Sequence, residues 1–401
     1  MPPMKRPLRL LLAASAAAAA PAVADDAVFA ACLTELRGEA PSRGVNTAAF
    51  DTLTQGLAPD MAVVGFLDAQ PEFTTAIWDY MAGLVDEERV ADGQAMLRKW
   101  AEVLAAVEAR YGVDAATVVA VWGVESNYGR NFGKRPLLQS LATLSCFGRR
   151  QPFFRGEFFT TLQILKLGHV APDRLTGSWA GAFGHTQFMP STFMRLAVDF
   201  DGDGRRDLVD SVPDALASTA NFLADAGWQA GRPWGIEVRL PEGFDPAQAG
   251  RRKRRTLDEW QAAGLARADG SPLPGGEETA GLILPAGPAG PAFLTLKNFD
   301  ALFGYNAAES YALAIAHLAD RLRGAPAGFH TPWPTDDPGL SRAERREVQQ
   351  LLIARGHDIG EPDGVLGART RRAIADLQRQ LGQEPDGRAG RRLLDWLRNP
   401  D

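Results

Sequence analysis

A chain of 401 residues has room for two or three domains. With 45% apolar and 23% charged side chains it falls among ordinary globular proteins, which excludes a wholly disordered chain. Its 43 basic and 49 acidic side chains leave a net charge of −6, which argues against a general nucleic-acid binder, because phosphates need a cationic face. No run reaches the roughly 20 apolar residues that span a bilayer, so no membrane span is expected.

Residues 1–24 read as a secretory signal peptide. Lys5, Arg6 and Arg9 precede a short apolar run at 10–20, and Ala22-Val23-Ala24 supplies a small-residue cleavage site. Phe29-Ala30-Ala31-Cys32 loosely resembles a lipoprotein box, but Asp25 and Asp26 separate it from the apolar run, which disfavours lipidation. Export would put the two cysteines, Cys32 and Cys146, in an oxidising compartment, where a pair is expected to bond. The chain-entropy model assigns such a long loop closure roughly 4–5 kcal/mol. The alternative is two buried free thiols.

Residues 28–223 read mostly helical. The stretch 93–110 is expected to form one amphipathic helix, and 115–126 a helix apolar nearly all round and therefore buried. Between 234 and 296 proline and glycine become dense, and Ile236-Glu237-Val238-Arg239-Leu240 and Leu282-Ile283-Leu284 look like strands. This predicts a small β-containing lobe inserted in a helical body. Helical character returns at 311–322. Residues 324–338 carry four prolines and read as an exposed, semi-extended linker. Beyond it, in 339–400, Glu361-Pro362-Asp363-Gly364 recurs as Glu384-Pro385-Asp386-Gly387, each a turn leading into a helix. Leu351, Leu352, Ile374 and Leu377 supply the core of a small three-helix domain.

Four segments could carry chemistry. Glu125 sits near the end of the apolar helix, where desolvation would raise its pKa and make it a proton donor near neutral pH. Gly129 would end that helix. A lone glutamate near a helix end is more often a solvated or capping residue. Residues 178–191 combine small residues with Gln187, Trp179, Phe188 and Met189, and suit either a ligand wall or a tightly packed turn. Asp199, Asp201, Asp203, Asp207 and Asp210 occupy positions 1, 3, 5, 9 and 12 of a twelve-residue loop with Gly204 at position 6. Arg205 at position 7 would lend only its carbonyl. That is the oxygen cage of a Ca²⁺ loop, with Asp210 or Asp214 closing it in place of glutamate; the bland alternative is an acidic turn. Tyr305, Asn306 and Tyr311, following Asn298-Phe299, suit sugar recognition or an ordinary helix start. The run Arg251-Arg252-Lys253-Arg254-Arg255 could contact a polyanion but more often is a solvated loop, which is the reading expected here. The five histidines lack metal spacing, and no nucleophile elbow, phosphate loop or dinucleotide fingerprint occurs.

Taken in order, Gly123-Val124-Glu125-Ser126-Asn127-Tyr128-Gly129, Ser178-Trp179-Ala180-Gly181-Ala182, Gln187-Phe188-Met189-Pro190-Ser191, the acidic loop and Tyr305-Asn306 resemble the B-type membrane-bound lytic murein transglycosylases and their soluble periplasmic relatives. The tail, through Val348-Gln349-Gln350-Leu351-Leu352 and Asp363 to Thr370, resembles the small peptidoglycan-binding domain of wall enzymes. The resemblance implies a mainly α fold: a goose-lysozyme-like helical catalytic core with an additional helical lobe and a small β lobe over 25–323, then the tail domain. It implies cleavage of the β-1,4 bond between N-acetylmuramic acid and N-acetylglucosamine in peptidoglycan glycan strands, with Glu125 as acid then base and a 1,6-anhydro product. No catalytic cofactor is implied. Ser178, Gln187, Tyr305, Asn306 and Tyr311 would line sugar subsites, and Arg149 and Arg150 would reach acidic groups of the peptide stem. His185 and Thr186 depart from the family pattern, and His185 is expected to alter pH dependence or subsite shape. Partners in wall synthesis or remodelling stay open. The competing readings are a muramidase that uses water and a catalytically silent wall-binding scaffold.

Overall fold

The computed structural model describes residues 20–68 and 75–400, with side chains from residue 25 onward. Most of the expected signal peptide, residues 1–19, lies outside the described residues. The described residues are mainly helical, with a five-stranded sheet lobe and a two-stranded pairing of Arg135–Pro136 with Thr176–Gly177. Among the described residues, no helix is long and apolar enough to cross a membrane.

The apolar helix Ala115–Ser126 lies at the centre of the largest core. Asp114 starts it, accepting from the Thr117 amide at 3.0 Å and the Thr117 hydroxyl at 2.8 Å. Its uniform apolarity has a plain cause: helices Glu87–Lys99, Ala101–Tyr111, Val212–Asp225 and Glu309–Leu322 pack round it, so residues 116–123 are withdrawn from water on every face. The single helix expected over 93–110 is two helices. Trp100, at φ −109° and ψ 21°, leaves the helical region and re-aims the chain, which lets both segments reach the central helix.

A second core joins helices Ala20–Glu39, Thr47–Thr54, Leu137–Cys146, Gln151–Lys166 and Pro190–Leu196. Cys32 and Cys146 form a disulfide between the first of these and Leu137–Cys146, with Cα atoms 5.8 Å apart.

The inserted lobe is a five-stranded antiparallel sheet. Its spatial order is Gly250–Thr256, Thr279–Ile283, Ala292–Thr295, Gly235–Arg239, Ala266–Arg267. Leu294 lies opposite both Ile236 and Leu282, which sets the buried register. The basic run is not a loop but the edge strand Gly250–Thr256. Its charges suit an edge, where they deter pairing with another chain. Arg251 and Arg254 also pair with Asp300 at 2.6 and 3.0 Å.

The proline-rich stretch is pinned rather than free. The amides of His330 and Thr331 donate to the Glu237 carboxylate, and Phe329 packs on Phe293 and His317. The last region packs helices Arg342–Ala354, Ala368–Gln380 and Arg391–Arg398 on their own apolar core. The sequence echo has a structural meaning. Gln349 binds the Gly364 amide and Asp363, and Gln378 binds the Gly387 amide and Asp386 in the same way. Each copy is a left-handed glycine turn clamped by a glutamine of the preceding helix. This region docks on the central body. Arg342 pairs with buried Asp86, and Arg388 with Asp79.

Candidate active site

The end of helix Ala115–Ser126 is built by three successive left-handed residues: Asn127 (φ 50°), Tyr128 (φ 58°) and Gly129 (φ 82°). The helix therefore stops at Asn127, two residues before the glycine expected to end it. Close packing explains the small residues here. A Cβ on Gly123 would come within 2.7 Å of the Tyr128 ring, and one on Gly129 within 2.4 Å of the His185 ring. Tyr128 in turn donates its hydroxyl to the Arg89 carbonyl at 2.8 Å. Ser126 donates its hydroxyl to the His185 carbonyl at 2.6 Å and accepts from the Gly129 amide at 3.0 Å. The turn thus re-aims the chain immediately after Glu125 and leaves its carboxyl at the margin of the core.

Glu125 is half-buried, and the Tyr311 hydroxyl donates to its Oε1. Desolvation pushes its pKa up to about 8, and the Tyr311 hydrogen bond, which favours the charged form, opposes that rise. Tyr305 stacks on Tyr311 with ring centroids 6.3 Å apart, and burial raises both phenols well above their ordinary range. Around neutral pH the site is an uncharged carboxylic acid beside two neutral phenols. Such an acid can protonate a leaving oxygen and, once ionised, take a proton back.

The other expected residues are placed differently from one another. Tyr311 and Asn306 line the same cavity, of about 380 Å³, as Val124. Gln187 and Ser178 shape the turn beside it. Gln187 is left-handed (φ 50°), and its amide nitrogen donates to the Gly184 and Phe132 carbonyls at 2.9 and 3.2 Å. Ser178 Oγ accepts from the Ala182 amide at 3.0 Å. Tyr305 turns its hydroxyl onto the Thr186 carbonyl at 2.8 Å, so it serves as a ring wall and brace. Arg149 and Arg150 contact other parts of the chain. Arg149 donates to the Leu67 carbonyl, and Arg150 stacks over Phe153 at 4.6 Å. His185 is buried, and its Nδ1 accepts from Trp122 Nε1 at 3.0 Å. Desolvation lowers its pKa to about 4, so it stays neutral and does not supply the pH dependence expected of it.

Sequence reading missed the opposite wall. The cavity is also lined by Tyr80 and, from the C-terminal region, by Arg345, Leu366 and Arg371. No local pattern places residues 345–371 beside residue 124, because only the docking of two cores does so.

The acidic loop brings three of its carboxylates together. Carboxylate oxygens of Asp199, Asp201 and Asp203 all lie within 4.8 Å of one another. Left-handed Gly202 and Gly204 let the chain wrap around them. The other expected ligands are used elsewhere. Asp207 caps the Val209 and Asp210 amides, and Asp210 pairs with Arg174. Asp214 accepts from the amides of Phe200, Asp201 and Asp207. Arg205 turns its side chain onto Asp203 and Asp207. Three convergent hard oxygens fit a Ca²⁺ ion, while the second half of the loop is closed by backbone hydrogen bonds.

Comparison with known proteins decides the family. The model described as "Transglycosylase SLT domain" matches residues 28–320. The chain belongs to the transglycosylase SLT domain family. A second model, "Putative peptidoglycan binding domain", matches residues 341–397 of this transglycosylase-family chain. Membrane-bound lytic murein transglycosylase B of Escherichia coli K12 is 33% identical over 245 residues, 60% of this chain and 65% of that protein, just under two thirds of its length. Among solved structures, SltB3 of Pseudomonas aeruginosa in complex with NAG-anhNAM-pentapeptide is 48% identical. It covers 92% of this chain and 99% of its own, with a TM-score of 0.74. The E. coli transglycosylase SLT35 in complex with calcium is 28% identical, with a TM-score of 0.65 over 73% of this chain and 92% of that one.

Proposed function

We propose that this chain is a periplasmic lytic transglycosylase that cleaves the β-1,4 bond between N-acetylmuramic acid and N-acetylglucosamine in peptidoglycan. The observation that carries the reading is Glu125, a carboxyl raised to about 8 and bonded by Tyr311, which lines a cavity. Desolvation and the Tyr311 hydroxyl set that value; among the described residues no second carboxylate contributes to it. One carboxyl is enough for the reaction. Glu125 protonates the glycosidic oxygen, and the bond from C1 of the muramic acid to the leaving oxygen breaks. The neighbouring N-acetyl carbonyl supports the cationic C1. The muramoyl 6-hydroxyl then bonds to C1, and its proton returns to Glu125, leaving a 1,6-anhydro end. A hydrolase would place an activated water there instead, usually with a second carboxylate.

Gln187, Ser178, Asn306 and Tyr311 would face the sugars, and the C-terminal region would bind glycan strands. The Cys32–Cys146 disulfide suits export, and it engages the cysteine of the lipoprotein-like box. Asp199, Asp201 and Asp203 would hold a structural Ca²⁺, as the calcium complex of SLT35 encourages. That ion would tie the loop together and take no part in bond cleavage.

The test is mass spectrometry of soluble products from purified sacculi. Muropeptides one water lighter than hydrolysis products and resistant to borohydride are expected. Reducible ends would overturn the reading in favour of a muramidase, and intact sacculi in favour of a scaffold.

A further inference from the structure

Arg342 opens the first helix of the C-terminal region, but its side chain leaves that region altogether. Its Nε and Nη2 donate to the Asp86 carboxylate at 2.8 and 3.1 Å. Its Nη1 donates to Oδ1 of Asn127 at 2.6 Å. Asn127 is the left-handed residue that ends the helix bearing Glu125, and its amide closes on the Gly123 carbonyl. Glycine would satisfy that backbone with less strain. What asparagine adds is the acceptor that Arg342 takes.

A second route reaches the same turn. Asp86 Oδ1 also accepts from the Arg89 amide at 2.7 Å, and the Arg89 carbonyl accepts from Tyr128. The Tyr128 ring lies against Gly123. The ion pair is withdrawn from water, with the Arg342 and Asp86 side chains 11% and 3% exposed, and Asn127 is half-buried beside it. In such surroundings a guanidinium is held to its partners, because leaving any of them unpaired is costly.

We infer that Arg342 is a positioning residue for Glu125. By holding Asn127 Oδ1 it fixes the last turn of the catalytic helix and the depth at which the Glu125 carboxyl sits beside Tyr311. The inference rests on the reading of Glu125 as proton donor. It gives the C-terminal region a part in the chemical step in addition to any grip on the wall. The groups nearest Glu125 are the phenols of Tyr311 and Tyr305, which stay neutral over the working range, and the charged side chains of Asp79, Arg345, Arg371 and Arg388 line the cavity that Tyr311 shares, none of them altered by the variants below. A change in the Glu125 titration therefore reports the carboxyl's own depth. A loosened turn admits water and lowers its pKa, so the alkaline loss of activity begins at lower pH.

Asn127→Gly isolates the strut, since it keeps the left-handed backbone, the Arg342 charge and the Arg342–Asp86 pair. Arg342→Lys is the complementary variant: it keeps a cation at Asp86 but cannot fork to both acceptors. The full chain, ¹³C-labelled at the glutamate carboxyls, is titrated by NMR, with Glu125 assigned by the signal lost in E125Q. Both variants should lower the Glu125 pKa by about one unit. Both should reduce kcat on soluble glycan strands roughly tenfold with KM nearly unchanged and Tm lowered by a few degrees, and the double variant should be no worse than either single one. A Glu125 titration and kcat like wild type in N127G would overturn the inference, as would additive effects in the double variant. If wild-type protein cleaves no strand, the transglycosylase reading falls, and the substrate-free titration still decides the strut.

Discussion

Two carboxyl groups, half-buried Glu125 and fully buried Asp214, show how surroundings divide one functional group between two tasks. Burial raises the pKa of both. Glu125 receives one donor, the hydroxyl of Tyr311, which lines a cavity together with Val124. Asp214 is fully buried and receives three backbone amides, from Phe200, Asp201 and Asp207. Three fixed donors commit Asp214 to holding a loop. A single side-chain donor leaves Glu125 able to release and regain a proton. The contrast predicts that neutralising the first should cost activity and neutralising the second should cost the fold.

The largest expected effect is on turnover. Glu125→Gln keeps the shape and an acceptor for Tyr311, and should reduce release of muropeptides from sacculi by about 10³-fold or more. Residual turnover above a tenth of wild type would remove Glu125 from its role. Next comes Asp214→Ala, which orphans buried amides and should destabilise the protein by about 3 kcal/mol in urea melts. An unchanged midpoint would show that water replaces the carboxylate and would erase the contrast.

A smaller effect of opposite sign sharpens it. The Glu125 pKa is 4.5 in the unfolded reference and about 8 in the fold, so the native state prefers the protonated form. The stability tied to that proton is full below pH 4.5, declines between 4.5 and 8, and is flat above. Glutamine does not titrate. E125Q should therefore gain stability over wild type across that window, reaching on the order of 2 kcal/mol above pH 8 after allowance for solvent contact. Melting curves at pH 4, 6 and 9 check this, and a pH-independent difference would refute it. The smallest effect concerns the acidic loop. Millimolar Ca²⁺ should raise stability by about 1 kcal/mol, and Asp199→Asn should remove that gain. Calorimetry with and without chelator decides it, since identical traces would leave the three carboxylates without an ion.

Several features were legible without the fold because their causes are local. The apolar run 115–126, the Asp199–Asp203 spacing with its glycines, the Pro-Asp-Gly echo and the strand-like runs after 234 each reflect interactions within a few residues. Two local expectations failed for the same reason, that longer-range packing overrode them. The 93–110 helix breaks at Trp100 so that both halves can reach the central helix. The basic run became an edge strand because Thr279–Ile283 offered it a partner. Arg149 and Arg150 could not be placed from spacing, since their partners, Leu67 and Phe153, decide where they point.

The sequence by itself determined which segments are helical, where the candidate acid lies and which loop gathers carboxylates. Those follow from side-chain periodicity and from turn residues that act on their own neighbourhood. Only the tertiary structure decided how deep Glu125 sits, that Tyr311 is its donor, and that Arg342 reaches Asn127 from 215 residues away. A pKa depends on how much water the whole fold removes, and a buried ion pair on which cores dock. Neither quantity is a property of any short stretch of chain.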